Sequence, residues 1–139
     1  MSSYIIDANI IIRFLTNDDD IQSPMAFRLF EKAVNGEFEL VIQPITIAEC
    51  IWVLESKRYG YSNEEIANQI SKLITAPNVK TIEETTVMKS LHQYCLENVD
   101  FIDAYLAEIS KIQRKPVVTW NEKHFKRLSI EFYNPNDLM

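Results

Sequence analysis

An α/β layer fold with a mostly parallel sheet is predicted by two features of the sequence. Short β-branched runs recur along the chain, and between them lie longer segments whose apolar residues follow helical spacing. With 139 residues, 47% of them apolar, the chain has the size and composition of one domain with a real core, and a single domain over residues 1–139 is expected.

The short runs occupy residues 4–6, 39–42, 79–82, 116–119 and 130–133 and predict about five strands. Helices are expected over residues 9–16, 22–35, 45–59, 84–97 and 102–114. The clearest begins at Ser62 and places Ile66, Ile70, Leu73 and Ile74 on one stripe. Ser62 and Glu65 have capping-box spacing at its start. A shorter helix follows Asn121. No repeat or linker is visible.

Composition excludes several functions. Only Gly36 and Gly60 occur, so no glycine-rich loop can cradle a nucleotide phosphate. Cys50 and Cys95 stand far apart in apolar stretches, without metal or redox spacing, and read as small buried hydrophobes. No apolar stretch approaches the roughly 18 residues of a membrane span, and no leader is expected. A soluble cytoplasmic protein follows. The net charge of −6 argues against binding nucleic acid by bulk attraction.

Chemistry is therefore sought among acids at the carboxyl ends of strands, where parallel sheets gather ligands. Asp7 follows the first run directly and opens a helix; capping by Asp7 or Asn9 is the alternative reading. Glu49 lies in Ile45-Thr46-Ile47-Ala48-Glu49-Cys50-Ile51-Trp52-Val53-Leu54, so apolar that most of its circumference is expected to be buried. A carboxylate buried there costs several kcal/mol unless paired or metal-bound, and Lys57 and Arg58 are too far along one helix to pair with it; a distant arginine, or escape to the helix's one wet edge, is the alternative reading. Asp100 and Asp103 share the first turn of another helix; Asp100 is the better cap and Asp103 the better ligand. Asn121 marks a further strand-to-helix handover, as a capping or orienting amide. Arg13 is expected to contact a phosphate or pair with a site carboxylate, and Asp18-Asp19-Asp20 to form a solvated turn.

Several carboxylates brought together stay ionised only with cations. Mg²⁺ or Mn²⁺, as one or two ions, suits such oxygen ligands, reverses the local charge and activates water for phosphodiester hydrolysis. Residual attraction for the substrate falls to Lys111, Arg114, Lys115, Lys123, Lys126 and Arg127. A haloacid-dehalogenase phosphatase would need an acid where Asn9 stands, and a receiver domain does not use an acid like Glu49.

Four motifs in this order, Ile6-Asp7-Ala8-Asn9, Thr46-Ile47-Ala48-Glu49, Asp100-Phe101-Ile102-Asp103-Ala104 and Val118-Thr119-Trp120-Asn121, resemble the PIN domain, in particular the VapC-type toxin of toxin–antitoxin pairs. The resemblance implies a Rossmann-like three-layer α/β/α sandwich with a central parallel sheet, and an endoribonuclease with Asp7, Glu49 and Asp103 as its central metal-binding acids. Thr119 and Asn121 would support the site. Asn121 departs from the aspartate common in the family, which leaves Asp100 to supply the fourth carboxylate. A homodimer and a cognate antitoxin are also implied, with the second and fourth helices offering apolar faces. The rival reading is a PIN-like binding or scaffold protein that has lost efficient catalysis.

Overall fold

In the computed structural model, which describes residues 1–139, the chain folds as two units, Met1–Glu84 and Thr85–Met139. The first contains β1 (Ser3–Ile5), α1 (Ala8–Thr16), α2 (Gln22–Val34), β2 (Glu39–Ile42), α3 (Pro44–Glu55), α4 (Asn63–Ile74) and β3 (Val79–Thr81). The second contains most of α5 (Glu84–Glu97), then α6 (Phe101–Gln113), β4 (Val117–Val118), α7 (Glu122–Arg127), β5 (Phe132–Tyr133) and a final 3₁₀ turn, Pro135–Leu138. The α/β class and the parallel pairing are as expected.

All five strands form, but they pair as ladders of three and two. In the first unit β2 is central, with Tyr4 opposite Leu40 and Leu40 opposite Val79. In the second, Val117 pairs with Phe132 and Val118 with Tyr133. The expected single sheet of about five strands is corrected to this extent. Pro116 has no N–H to donate and Ser129 takes a left-handed φ of 57°, so the runs at 116–119 and 130–133 shrink to two paired residues each.

Local chemistry sets the helix ends. Pro44 starts α3 at a position where the missing N–H costs nothing. That helix stops at Glu55, short of the predicted 59, because Ser56 turns extended and Gly60, at φ 62°, closes the next turn onto Ser56 O at 2.7 Å. Ser62 Oγ accepts from Glu65 N at 3.2 Å, the expected cap of α4. Asp19 Oδ1 accepts from the N–H groups of Ile21 and Gln22, which serves the start of α2 where Ile21 has no capping side chain.

The predicted stripe of Ile66, Ile70, Leu73 and Ile74 is buried, together with Leu40, Ile42, Ile47 and Ile51. With every large apolar side chain of α4 inside, the fourth helix does not offer the exposed face expected of it; α2 does expose Met25, Phe27 and Val34. In the second unit the buried apolar set is Val87, Leu91, Tyr94, Val99, Phe101, Ala104, Ala107, Phe125 and Leu128.

Candidate active site

Asp7 leaves β1 just after buried Ile6 and caps α1, its Oδ1 accepting from Ile10 N at 3.2 Å. Capping uses one carboxylate oxygen. The side chain is exposed, so the second oxygen remains available to a ligand. The capping and ligand readings are thus compatible. Asn9, in the first turn of the same helix, is also exposed.

Glu49 is exposed: of the two readings, burial is corrected and the wet edge of the helix is where it stands. The reason lies in its stripe: Ile45 and Trp52, four residues before and three after, are 79% and 76% exposed. The apolar circumference of α3 is therefore not all core. Only the side carrying Ile47, Cys50, Ile51 and Leu54 packs inward, and Glu49 needs no buried partner. Cys50 ties this helix to Asp7. Its thiol faces Ala8 O at 3.7 Å and is pushed up to about 12, first by burial and then by the carboxylates of Glu49 and Asp7. Both acids thus act on one buried thiol, which stays protonated and unreactive. Cys95, also expected to be buried, is half-buried.

Arg13 pairs with an acid of the Asp18-Asp19-Asp20 run and not with one of the candidate site carboxylates. Its Nη1 donates to Asp18 Oδ1 at 3.0 Å and its Nε to Gln22 Oε1 at 2.9 Å. Asp18, exposed in the break before α2 as expected, is also a hydrogen-bond hub. Its Oδ1 also accepts from Thr16, and its Oδ2 accepts from Tyr59 at 2.6 Å and Arg58 at 3.3 Å. The hydroxyls of Tyr59 and Thr16, with Arg13, hold this carboxyl well below the usual carboxylate range, against the opposing effect of burial. A depressed folded-state value stabilises the fold above the unfolded value of 3.8, and that stabilisation is lost as pH falls toward the folded value. Asp18→Asn is therefore expected to melt below the unaltered chain at neutral pH, with the gap narrowing from about pH 5 downward. Thermal melts across that range check it; a gap independent of pH would remove the ionised carboxylate as its cause.

In the second unit, Asp103 lies in the first turn of α6 with its side chain 19% exposed. Its Oδ2 accepts from Asn121 Nδ2 at 3.0 Å and lies 2.9 Å from His124 Nδ1. Asp100 occupies the N-cap position of α6 but makes no capping hydrogen bond. Its side chain is 74% exposed, with Oδ2 3.9 Å from His124 Nδ1. Asn121 likewise holds the N-cap position of α7 without capping it, because its amide is directed to Asp103. Thr119 shapes that approach: its N–H pairs with Tyr133 O and its Oγ1 accepts from Asn121 N at 2.9 Å.

One ligand atom from each of Asp100, Asp103 and His124 lies within 4.8 Å of the others, a donor set that can hold a metal ion. The two carboxylates suit a hard cation, and the imidazole favours Mn²⁺ over Mg²⁺ where it ligates. His124 was not among the residues singled out from sequence. Its signal was its place three residues after Asn121, on the same face of a short helix.

Of the basic residues named from sequence, Lys111 pairs with Glu108 at 3.2 Å and Arg127 donates to Asn98 O. Lys111, Arg114 and Lys115 line a shallow cavity with Glu131. No helix is long and apolar enough to cross a membrane.

No curated protein matches the chain. The family description that does match is the PIN domain, over residues 4–131, a stretch holding every acid described above and the strand-to-helix handovers that present Asp7 and Asn121. PIN domains are generally nucleases that bind divalent metal ions, in keeping with the carboxylate and imidazole set around Asp103. The chain belongs to the PIN domain family.

Proposed function

We propose that the chain is a metal-dependent endoribonuclease, one nuclease domain over residues 1–139, acting as the toxin of a type II toxin–antitoxin pair. The observation that carries the nuclease reading is the group of Asp100, Asp103 and His124 in a chain whose family is one of nucleases. Asp7, Glu49, Asp103 and Asp100 are assigned as metal-binding acids. The donors fit Mg²⁺ or Mn²⁺, since carboxylate oxygens predominate and Asp100 and Glu49 are exposed and carry no structural hydrogen bond of their own. When bound, such an ion lowers the pKa of a coordinated water and offsets the charge gathering on the phosphate.

The protein's own residues do the rest. Asn121, the departure from the family's aspartate, does not replace a ligand. Its amide donates to Asp103 and fixes that carboxylate's orientation, while Asp100 supplies the further negative charge. His124 Nδ1 lies 2.9 Å from the same oxygen of Asp103 and 2.9 Å from Asn121 Nδ2, so it donates to the carboxylate when it carries the proton and accepts from Asn121 when it does not. Asp7 is fixed by its cap to α1, with one oxygen left for a ligand. RNA as substrate, a homodimer, a cognate antitoxin and a cytoplasmic location rest on the likeness to VapC-type toxins. The exposed apolar residues of α2, with Ile45 and Trp52 on α3, are the surface such contacts would use.

The test is cleavage of a mixed pool of structured RNAs with Mg²⁺, Mn²⁺ or EDTA, beside Asp7→Asn and Glu49→Gln. Cutting that needs metal and disappears in both variants is expected. Equal inertness of all three proteins across metals would favour the catalytically weak binding or scaffold protein.

A further inference from the structure

A groove of about 250 Å³ in the first unit is lined by Asn9, Arg13, Glu49, Val53, Arg58 and Tyr59, among others. It follows α3 from Glu49 past Val53 to Ser56, seven residues or roughly 10 Å of helix axis, and ends at Arg58 and Tyr59. One wall thus joins an acid assigned to the metal with an arginine at a fixed remove from it.

That arginine is built for an anion. Its side chain is 68% exposed, yet it is not free to wander: Nη2 donates to Asp18 at 3.3 Å, and the guanidinium lies 5.2 Å over the Tyr59 ring. Tyr59 is itself fixed by its hydroxyl on Asp18 and by stacking on Tyr61 at 6.3 Å. Asp18 is saturated by four donors and shared between Arg13 and Arg58, so two guanidinium charges meet one carboxylate. A guanidinium carries five N–H donors in a fork that matches phosphate oxygens, and Asp18 engages only one nitrogen of it.

We propose that Arg58, held by Asp18 and Tyr59, is a positioning residue that binds an RNA phosphate flanking the one cut at the acidic site. This rests on the nuclease reading. Arg58 forms no part of the reacting centre; it sets the register of the strand, so that the phosphate near Glu49 is the one presented for attack.

The experiment measures binding of the full chain to a labelled single-stranded RNA in EDTA across a salt series, beside cleavage kinetics with Mg²⁺ and Mn²⁺. Arg58→Ala is expected to weaken binding roughly tenfold, as for a lost charge-assisted hydrogen bond, and to reduce the slope of log affinity against log salt by about 0.7, one phosphate contact on a single strand. The loss in cleavage falls mainly on KM. Arg58→Lys keeps the slope and recovers part of the affinity. Unchanged affinity and slope in Arg58→Ala, with an unaltered chain that binds and cuts RNA, would overturn the subsite alone. A lowered melting temperature with an unchanged slope would assign Arg58 a structural role instead. An unaltered chain that neither binds nor cuts RNA would end the nuclease reading and the subsite with it.

Discussion

Asp103→Asn is expected to lower RNA cleavage by at least about a hundredfold, roughly 3 kcal/mol of transition-state stabilisation. The substitution keeps the side chain's shape and removes the charge on which Asn121 and His124 converge. The carbonyl oxygen of the new amide can still accept from Asn121, so the loss is one of charge. Asp100→Asn makes the graded comparison. Asp100 makes no capping hydrogen bond and is largely exposed, so folding should be unaffected and any defect should be one of metal use. Its rate loss is expected at low Mg²⁺ and should be partly recovered at high Mg²⁺. Initial rates across a metal titration decide both. Full activity in Asp103→Asn would sink the assignment of the centre, and a metal response in Asp100→Asn identical to that of the unaltered chain would leave Asn121 without a substitute carboxylate.

Phe125→Ala is expected to carry the largest stability loss near the site, about 3–5 kcal/mol. Phe125 is 1% exposed and its ring meets Phe132 of β5 at 6.5 Å. It anchors α7, a helix of six residues that is too short to persist on its own propensity. That helix carries His124, and Asn121 stands at its start. Losing the anchor should therefore release both groups from Asp103 and depress cleavage even where the chain remains folded. Urea unfolding gives the first effect and the rate below the transition gives the second. Phe125→Leu, which keeps much of the volume, should retain most of both. A Phe125→Ala protein that is destabilised but fully active would show that α7 does not hold the site.

What the sequence determined by itself is local. Strand and helix positions were legible because apolar periodicity and end signals, such as Ser62 and Asp7, act within a few residues. Among the candidate acids, Asp7, Asp100 and Asp103 stand out because each lies at or near the start of a helix, and Glu49 because it is a carboxylate in an apolar helical segment; the four motifs in order carry the family.

The tertiary structure decided everything that depends on which neighbour a side chain meets. Composition suggested that Glu49 is buried, yet α3 leaves Ile45, Glu49 and Trp52 on one open stripe, because apolar content does not say how much of a helix's circumference is packed. Asn121 and His124 reach Asp103 across 18 and 21 residues of chain, and no spacing rule spans that separation. Asp18 lies in an exposed acidic turn, but its partners Tyr59 and Arg58 come from 41 and 40 residues away. Local sequence fixes which groups are available and on what element. Which of them share a proton, a charge or a phosphate is set by packing between elements distant in sequence, and that is a property of the folded chain as a whole.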